Sequence, residues 1–217
     1  MNKNGLIIFY KAAIPGEVKS RLAHDIGNIA SAELYAGILR DLTNETREVD
    51  ADILPYQCPT ETPTAPIHHP WPNPQIQSGE DIGVRMERAF LDAFNTGYKR
   101  VVLCGSDIPG LLSEDLNLSF HILDKSKMVI GPTFDGGYYL IGFDREYFLK
   151  EVFAGIPWST STVFDVTTQI AGRHGYTPGY SRRIRDLDTL DDSRQIIREL
   201  EKNKAICFRK IWSKIQN

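Results

Sequence analysis

Four short segments of this chain combine cations, carboxylates and glycines in ways that suit polyphosphate and metal chemistry. The first, Tyr10 to Leu22, carries Lys11, Lys19 and Arg21, three cations within eleven residues, around the turn-forming pair Pro15-Gly16. A loop leading from a strand into a helix can aim successive backbone N–H groups at a phosphate, and Lys or Arg adds charge-assisted contacts. On this reading Lys11, Gly16, Lys19 and Arg21 bind phosphate; a solvated loop with incidental lysines accounts for the same residues equally well. The segment is not a P-loop, because Val18 stands where that motif needs Gly before Lys-Ser, and it is not a GxGxxG turn.

The second segment, Gly105-Ser106-Asp107-Ile108-Pro109, follows the apolar run Val101–Cys104. A carboxylate just beyond the carboxyl end of a buried strand is well placed to hold a hard divalent cation through oxygen. An Asx turn at Asp107 is the competing explanation. In the third, Asp135-Gly136-Gly137-Tyr138, the paired glycines permit positive φ and close approach of a ligand, while Asp-Gly also favours a plain hairpin turn. In the fourth, Arg185-Asp186-Leu187-Asp188-Thr189, Asp186 and Asp188 share strand parity and face one side if the backbone is extended, so either could complete a metal shell with Asp107. Helix capping is the alternative for Asp188. His68-His69 lacks ligand spacing, Trp158-Ser159-Thr160 reads as a cap with an aromatic staple, and Phe208 to Ile215 reads as an amphipathic closing helix.

The elements that would carry these segments alternate. Gly5–Tyr10 is a strand-length apolar run, and apolar residues at 34, 35, 38, 39 and 42 have helical spacing. A weaker strand is expected at Ala51–Tyr56. The stretch Cys58–Gln77 holds six of the twelve prolines and reads as a long loop without regular structure. Ile82, Met86, Ala89, Phe90, Ala93 and Phe94 mark a second amphipathic helix closed by Gly97, and Val101–Cys104 a further strand. Ser113 reads as an N-cap, followed by strands at Met128–Ile130 and Tyr138–Phe143. Thr160 reads as a cap before Val163, Thr167, Ile170 and Ala171, and a late strand is expected within Tyr176–Tyr180. A helical remainder opens on Thr189-Leu190-Asp191-Asp192, which resembles a capping box. This alternation predicts one α/β domain spanning 1–217, with a mixed, mostly parallel sheet covered on both faces.

The chain has 217 residues, 41% hydrophobic and 24% charged, enough for a sizeable core. Its net charge of −3 gives no global attraction to nucleic acid or anionic membranes, so polyphosphate binding must come from a local cluster. Cys58, Cys104 and Cys207 are widely spaced, with no CxxC pair, which argues against a zinc site or a disulfide framework. No stretch nears the length of a membrane span and no signal peptide is evident, so a cytoplasmic location is expected.

The ordered set Lys11…Pro15-Gly16-x-x-Lys19-Ser20-Arg21-Leu22, Gly79-x-x-Ile82-Gly83-x-Arg85-Met86, Gly105-Ser106-Asp107-x-Pro109, Asp135-Gly136-Gly137-Tyr138-Tyr139-Leu140-Ile141-Gly142, Trp158-Ser159-Thr160 and Asp186-Leu187-Asp188-Thr189 resembles one family. It is similar to the bacterial glycosyltransferase-A-like transferases of unknown specificity, within the nucleotide-diphospho-sugar transferase superfamily, from residue 5 to about residue 200. Molybdenum cofactor and phospholactate guanylyltransferases are relatives by fold. The resemblance implies a glycosyltransferase-A-like fold and a divalent metal, Mg2+ or Mn2+. It implies polyphosphate contacts from Lys19 and Arg21, metal ligation by Asp107 with Asp188 or Asp186, and an acceptor facing Asp135, Gly136, Gly137 and Tyr138. Arg85 is implied as a nucleotide or acceptor contact. Ser20 replaces the usual Thr, and the Leu-x-x-Gly-Gly loop of better-known nucleotidyltransferases is missing.

Three functional readings follow. In the first, Lys19, Arg21 and Asp107 are catalytic in transfer of a nucleotidyl group from a nucleoside triphosphate to a small acceptor, with pyrophosphate released. The dense cations of the first loop favour it, since a triphosphate brings more charge than a sugar diphosphate. The second is glycosyl transfer from a nucleotide sugar, with Asp135 available as base. The third is a nucleotide-binding module without catalysis. No nucleic-acid partner is expected in any of them.

Overall fold

The computed structural model describes residues 4–60 and 65–216. The chain runs β1 (Asn4–Tyr10), α1 (Ser20–Ile26), α2 (Asn28–Glu45), β2 (Asp52–Gln57), β3 (Gln75–Ile76), α3 (Ile82–Asn95), β4 (Arg100–Gly105), α4 (Ser113–Leu123), β5 (Met128–Pro132), β6 (Tyr138–Asp144), α5 (Val163–Arg173), β7 (Gly179–Tyr180), α6 (Leu190–Glu199) and α7 (Ile206–Ile215). One seven-stranded sheet has the order β3-β2-β1-β4-β6-β5-β7. Only β6 runs antiparallel to its neighbours, pairing Cys104 with Leu140 on one side and Ile130 with Ile141 on the other. Among the described residues no helix is long and apolar enough to cross a membrane.

Strand β1 is buried along its whole length because both of its faces are covered, which is why it reads as an unbroken apolar run. Its side chains alternate. Ile7 and Phe9 enter a cluster with Met86, Phe90 and Phe94 of α3 and Phe143 of β6. Leu6 and Ile8 pack on the other face with Leu116 and Phe120 of α4. Phe90 anchors the first cluster, with ring centroids 5.4 Å from Phe143, 5.5 Å from Phe148 and 5.8 Å from Phe153. A third cluster joins the apolar stripe of α2 to α6 and α7 through Leu39, Ile196, Phe208 and Trp212. Asp41 of α2 closes it by accepting the Cys207 and Phe208 N–H groups of α7, each at 2.9 Å.

Several local expectations need correction. The proline-rich stretch is not wholly irregular: Gln75–Ile76 pairs with Tyr56 and Gln57 of β2, so tertiary pairing adds an edge strand that Pro74 can immediately precede. Residues 61–64 of that stretch lie outside the described residues. Ser113 is the first residue of α4 and not its cap; Leu112 holds that place and the Asp115 carboxylate accepts its N–H at 3.0 Å. Thr160 lies two residues before the N-cap position of α5, held by Thr162. The late strand is only two residues long. The capping box at α6 is as expected, with Thr189 accepting from Asp192 N–H at 3.2 Å and Asp192 from Thr189 N–H at 2.8 Å. Because Thr189 caps, Asp188 does not.

Candidate active site

Strands β1 and β4 are parallel neighbours, but the chain leaves them in opposite directions, toward β2 on one side and toward β5 and β6 on the other. Such a switch point opens a crevice beyond the carboxyl ends of the strands. Lys11 follows β1 and Asp107 follows β4, so both lie at this crevice.

Lys19 sits in the left-handed region, φ 52°, at the N-cap position of α1, which turns its side chain inward. The side chain is 5% exposed, and its ammonium reaches Asp107 Oδ1 at 3.0 Å and donates to the Leu187 carbonyl. It also lies 5.8 Å from the centroid of the Tyr35 ring. Arg21 Nη1 meets Asp188 Oδ2 at 2.9 Å, in a pair open to solvent. Leu187 N–H donates to the Asp107 carbonyl at 2.9 Å. This bond fixes the Asp186–Asp188 segment against the end of β4, with Leu187 buried between two carboxylates that line the cleft.

The cleft has connected lobes. One of about 150 Å³ is lined by Lys11, Lys19, Arg21, Asp107 and Asp188. A second, about 210 Å³, holds Lys11, Arg85, Cys58, Gln77 and Asp107. The largest, about 540 Å³, is bordered by Arg21, Asp135, Gly137, Tyr138, Trp158 and Asp188. Asp107, Asp135 and Asp186 meet in a further recess. Burial and the nearby Asp135 push the Asp186 carboxyl up to about 6, against the opposing effects of its own backbone and Lys19.

The structure therefore brings Lys11, Lys19, Arg21, Arg85, Asp107, Asp135, Gly137, Tyr138, Asp186 and Asp188 to one cleft. Gly16, φ 90°, lines an outer recess with Lys11 and Ser20. Gly136 does not border the large lobe. It has φ 91°, a Cβ there would lie 2.0 Å from the Ser161 carbonyl oxygen, and its own carbonyl accepts Phe164 N–H at 2.9 Å. It packs the β5–β6 hairpin against the loop before α5. Asp135 holds the hairpin tip by accepting from Gly137 N–H at 3.1 Å and from the Thr133 hydroxyl.

Sequence reasoning missed Tyr35. Its buried hydroxyl accepts Lys11 N–H at 3.0 Å and shares a hydrogen bond with Ser106 at 2.7 Å, joining the loops after β1 and β4 beneath Lys19. Trp158, read as a staple beside a cap and as part of the family's ordered set, borders the large lobe. No local signal distinguishes Tyr35 from a core residue; for Trp158, the neighbouring left-handed Ser159, φ 64°, marks an unusual turn only once the backbone is known.

The carboxylates suit a hard cation. Asp107 and Asp188 are 56% and 46% exposed and border the same small lobe as the two cations. Among the described residues no group of three or more His, Cys, Asp or Glu could hold a metal ion. A Mg2+-like ion would therefore take one or two carboxylates here and its other oxygens from phosphate and water, as that ion commonly does.

A family profile described as "Uncharacterized protein conserved in bacteria (DUF2064)" matches residues 72–160. No curated protein matches the chain. Among solved structures, a protein of Desulfovibrio desulfuricans G20, provisionally classed as a nucleotide-diphospho-sugar transferase, is 31% identical over 100% of this chain and 98% of its own, with a TM-score of 0.87. The chain belongs to that family of transferases. Its seven-stranded α/β domain is accordingly of the nucleotide-diphospho-sugar transferase type. The fold extends to distant structures. Rv0371c of Mycobacterium tuberculosis H37Rv, in complex with manganese, is 14% identical over 90% of this chain and 99% of its own, with a TM-score of 0.54. CMP:2-keto-3-deoxy-manno-octonic acid synthetase, in complex with CTP, is 9% identical over 91% of this chain and 100% of its own, with a TM-score of 0.52.

Proposed function

We propose that this transferase moves a nucleotidyl group from a nucleoside triphosphate to a small acceptor in the cytoplasm, releasing pyrophosphate. The observation that carries the reading is the pair of opposed contacts, Lys19 with Asp107 and Arg21 with Asp188, at the mouth of the β1/β4 crevice. Two cations and two carboxylates face one another in a lobe that also holds Lys11. A metal–triphosphate can insert between them, with phosphate oxygens taking the cations. Two proteins that share the fold have been solved with manganese and with CTP, ligands of the kinds this reading requires.

Asp107, with Asp188 or Asp186, would hold Mg2+ or Mn2+, which supplies polarisation of phosphate oxygens and shares their charge. Lys19 is fixed by its backbone turn and by the Tyr35 ring, so its ammonium meets developing negative charge on the leaving phosphates with little rearrangement. Arg21, on the exposed side, adds a second contact. Arg85 lines the lobe beside Lys11, where the nucleoside would lie, and its Nε is held by the Gly79 carbonyl at 3.1 Å. Asp135, Gly137 and Tyr138 border the acceptor's lobe.

Glycosyl transfer is the second reading, favoured by the class of the Desulfovibrio relative. Asp135, exposed beside the large lobe, would then serve as base. Product analysis separates the two: pyrophosphate is expected from nucleotidyl transfer, nucleoside diphosphate from glycosyl transfer. The first experiment is a thermal-shift screen of nucleoside triphosphates and nucleotide sugars, each with and without Mg2+. Triphosphates with Mg2+ should stabilise the chain by more than the two separate shifts added together. Stabilisation by nucleotide sugars alone would overturn the leading reading.

A further inference from the structure

The charged residues of the cleft are unevenly shared among its lobes. Lys11, Lys19 and Arg85 line the two smaller ones. On the wall of the largest, Arg21 is the one Lys or Arg among the described residues, and it is already paired with Asp188 at 2.9 Å. Asp135 adds a second carboxylate, so the wall carries two negative groups against one positive.

The remaining wall carries the hydroxyl run Ser159, Thr160 and Ser161 and is otherwise apolar and aromatic, with Phe9, Met86, Leu103, Tyr138, Trp158 and Val163. Its aromatic corner is firmly placed. Trp158 lies so close to α3 that a Cβ on Gly83 would come within 2.7 Å of Trp158 Cζ2 and 2.5 Å of the Phe153 carbonyl oxygen. Tyr138 meets the Trp158 ring edge-on, with centroids 6.4 Å apart and planes at 75°. Such a fixed corner favours a flat ring over a flexible polar chain.

We propose that the acceptor bound in this lobe is a flat, largely apolar, unphosphorylated alcohol. The inference rests on the transfer reading above and names its acceptor class. A phosphorylated acceptor would set its charge against Asp135, while Arg21, the one cation of this wall among the described residues, is already engaged by Asp188 or by the triphosphate. A fully hydroxylated sugar could pair some of its hydroxyls with Ser159, Thr160 and Ser161, but those turned to Phe9, Met86 and Leu103 would go unpaired. In the step itself, the acceptor hydroxyl oxygen bonds to the α-phosphorus while the bond from that phosphorus to the α–β bridging oxygen breaks. The electron pair leaves with pyrophosphate, and the hydroxyl proton passes to water at the cleft mouth.

The test uses the full chain and three probes followed by ligand-observed NMR: tryptophol, its phosphate ester and glucose 1-phosphate. Tryptophol is expected to bind about tenfold more tightly than its phosphate ester, and Trp158→Ala to weaken it by about tenfold. Asp135→Asn should narrow the gap between alcohol and ester. If Trp158→Ala does not fold, the ranking on the native chain decides. A ranking with either phosphate ahead, or no binding of tryptophol, overturns the proposal. The Mg2+–triphosphate thermal shift, measured on the same protein without probes, reports on the transfer reading separately. Its loss with the probe ranking intact sinks that reading, and the reverse sinks only the acceptor class.

Discussion

Exchanging Asp107 for Asn and Lys19 for Met separates what their contact does for the fold from what it does for the chemistry. The Lys19 side chain is 5% exposed, whereas that of Asp107 is 56% exposed. Asp107→Asn leaves a desolvated ammonium with the Leu187 carbonyl and a neutral amide oxygen. After discounting for screening at the open carboxylate, the cost is about 1–2 kcal/mol. For a chain of this size that lowers Tm by roughly 3–6 °C. Lys19→Met removes the buried charge itself, fills the space beside Tyr35 with an apolar chain, and leaves Asp107 to water. Its cost should stay within about 1 kcal/mol. Stability therefore ranks Lys19→Met above Asp107→Asn in paired thermal melts. Activity should not follow that ranking: each variant is expected to lose about 10²–10³-fold in metal-dependent pyrophosphate release. Unchanged turnover in Asp107→Asn would sink its assignment as a metal ligand. A larger Tm loss in Lys19→Met than in Asp107→Asn would refute the account of the pair.

Tyr35→Phe deletes the hydroxyl that serves Lys11 N–H and Ser106, so it should cost about 1–3 kcal/mol in urea unfolding and raise KM for the nucleotide. A stability loss with unaltered nucleotide binding would confine Tyr35 to the core. Phe90→Ala empties the centre of the phenylalanine cluster and should cost about 3–5 kcal/mol, read as a lower urea midpoint with unchanged m. Gly136→Ala combines positive φ with a Cβ 2.0 Å from the Ser161 oxygen. It should destabilise by about 1–3 kcal/mol and weaken tryptophol binding through the displaced loop; a native-like Tm would contradict the close approach.

The features legible in the sequence were those fixed by short-range physics. The apolar run of β1 reveals a strand covered on both faces, and Thr189 with Asp192 reveals a helix start, because the interacting groups lie within a few residues. Asp107 was visible because a carboxylate directly after a buried strand is placed by the strand itself. Tyr35 was not: it sits on the buried stripe of α2, and its hydroxyl partners lie 24 and 71 residues away. The β3 strand exists only through its pairing with β2, and Gly136 looks like a ligand-facing glycine until its contact with Ser161 is known. In each case the deciding partner is brought in by tertiary folding, which periodicity and capping rules do not register.

The same pairing explains why metal and nucleotide should favour one another. In the ligand-free chain Lys19 neutralises Asp107 and Arg21 neutralises Asp188. A metal arriving alone would take the carboxylates and strand a nearly buried ammonium. A triphosphate arriving alone would take the cations and face two uncompensated carboxylates, beside an Asp186 whose carboxyl already resists ionisation because it is buried and lies near Asp135. Arriving together, each satisfies the groups that the other displaces, so each raises the affinity for the other by the same factor. On the proposed function, the contact that disfavours either component alone would be the means by which the site selects the pair.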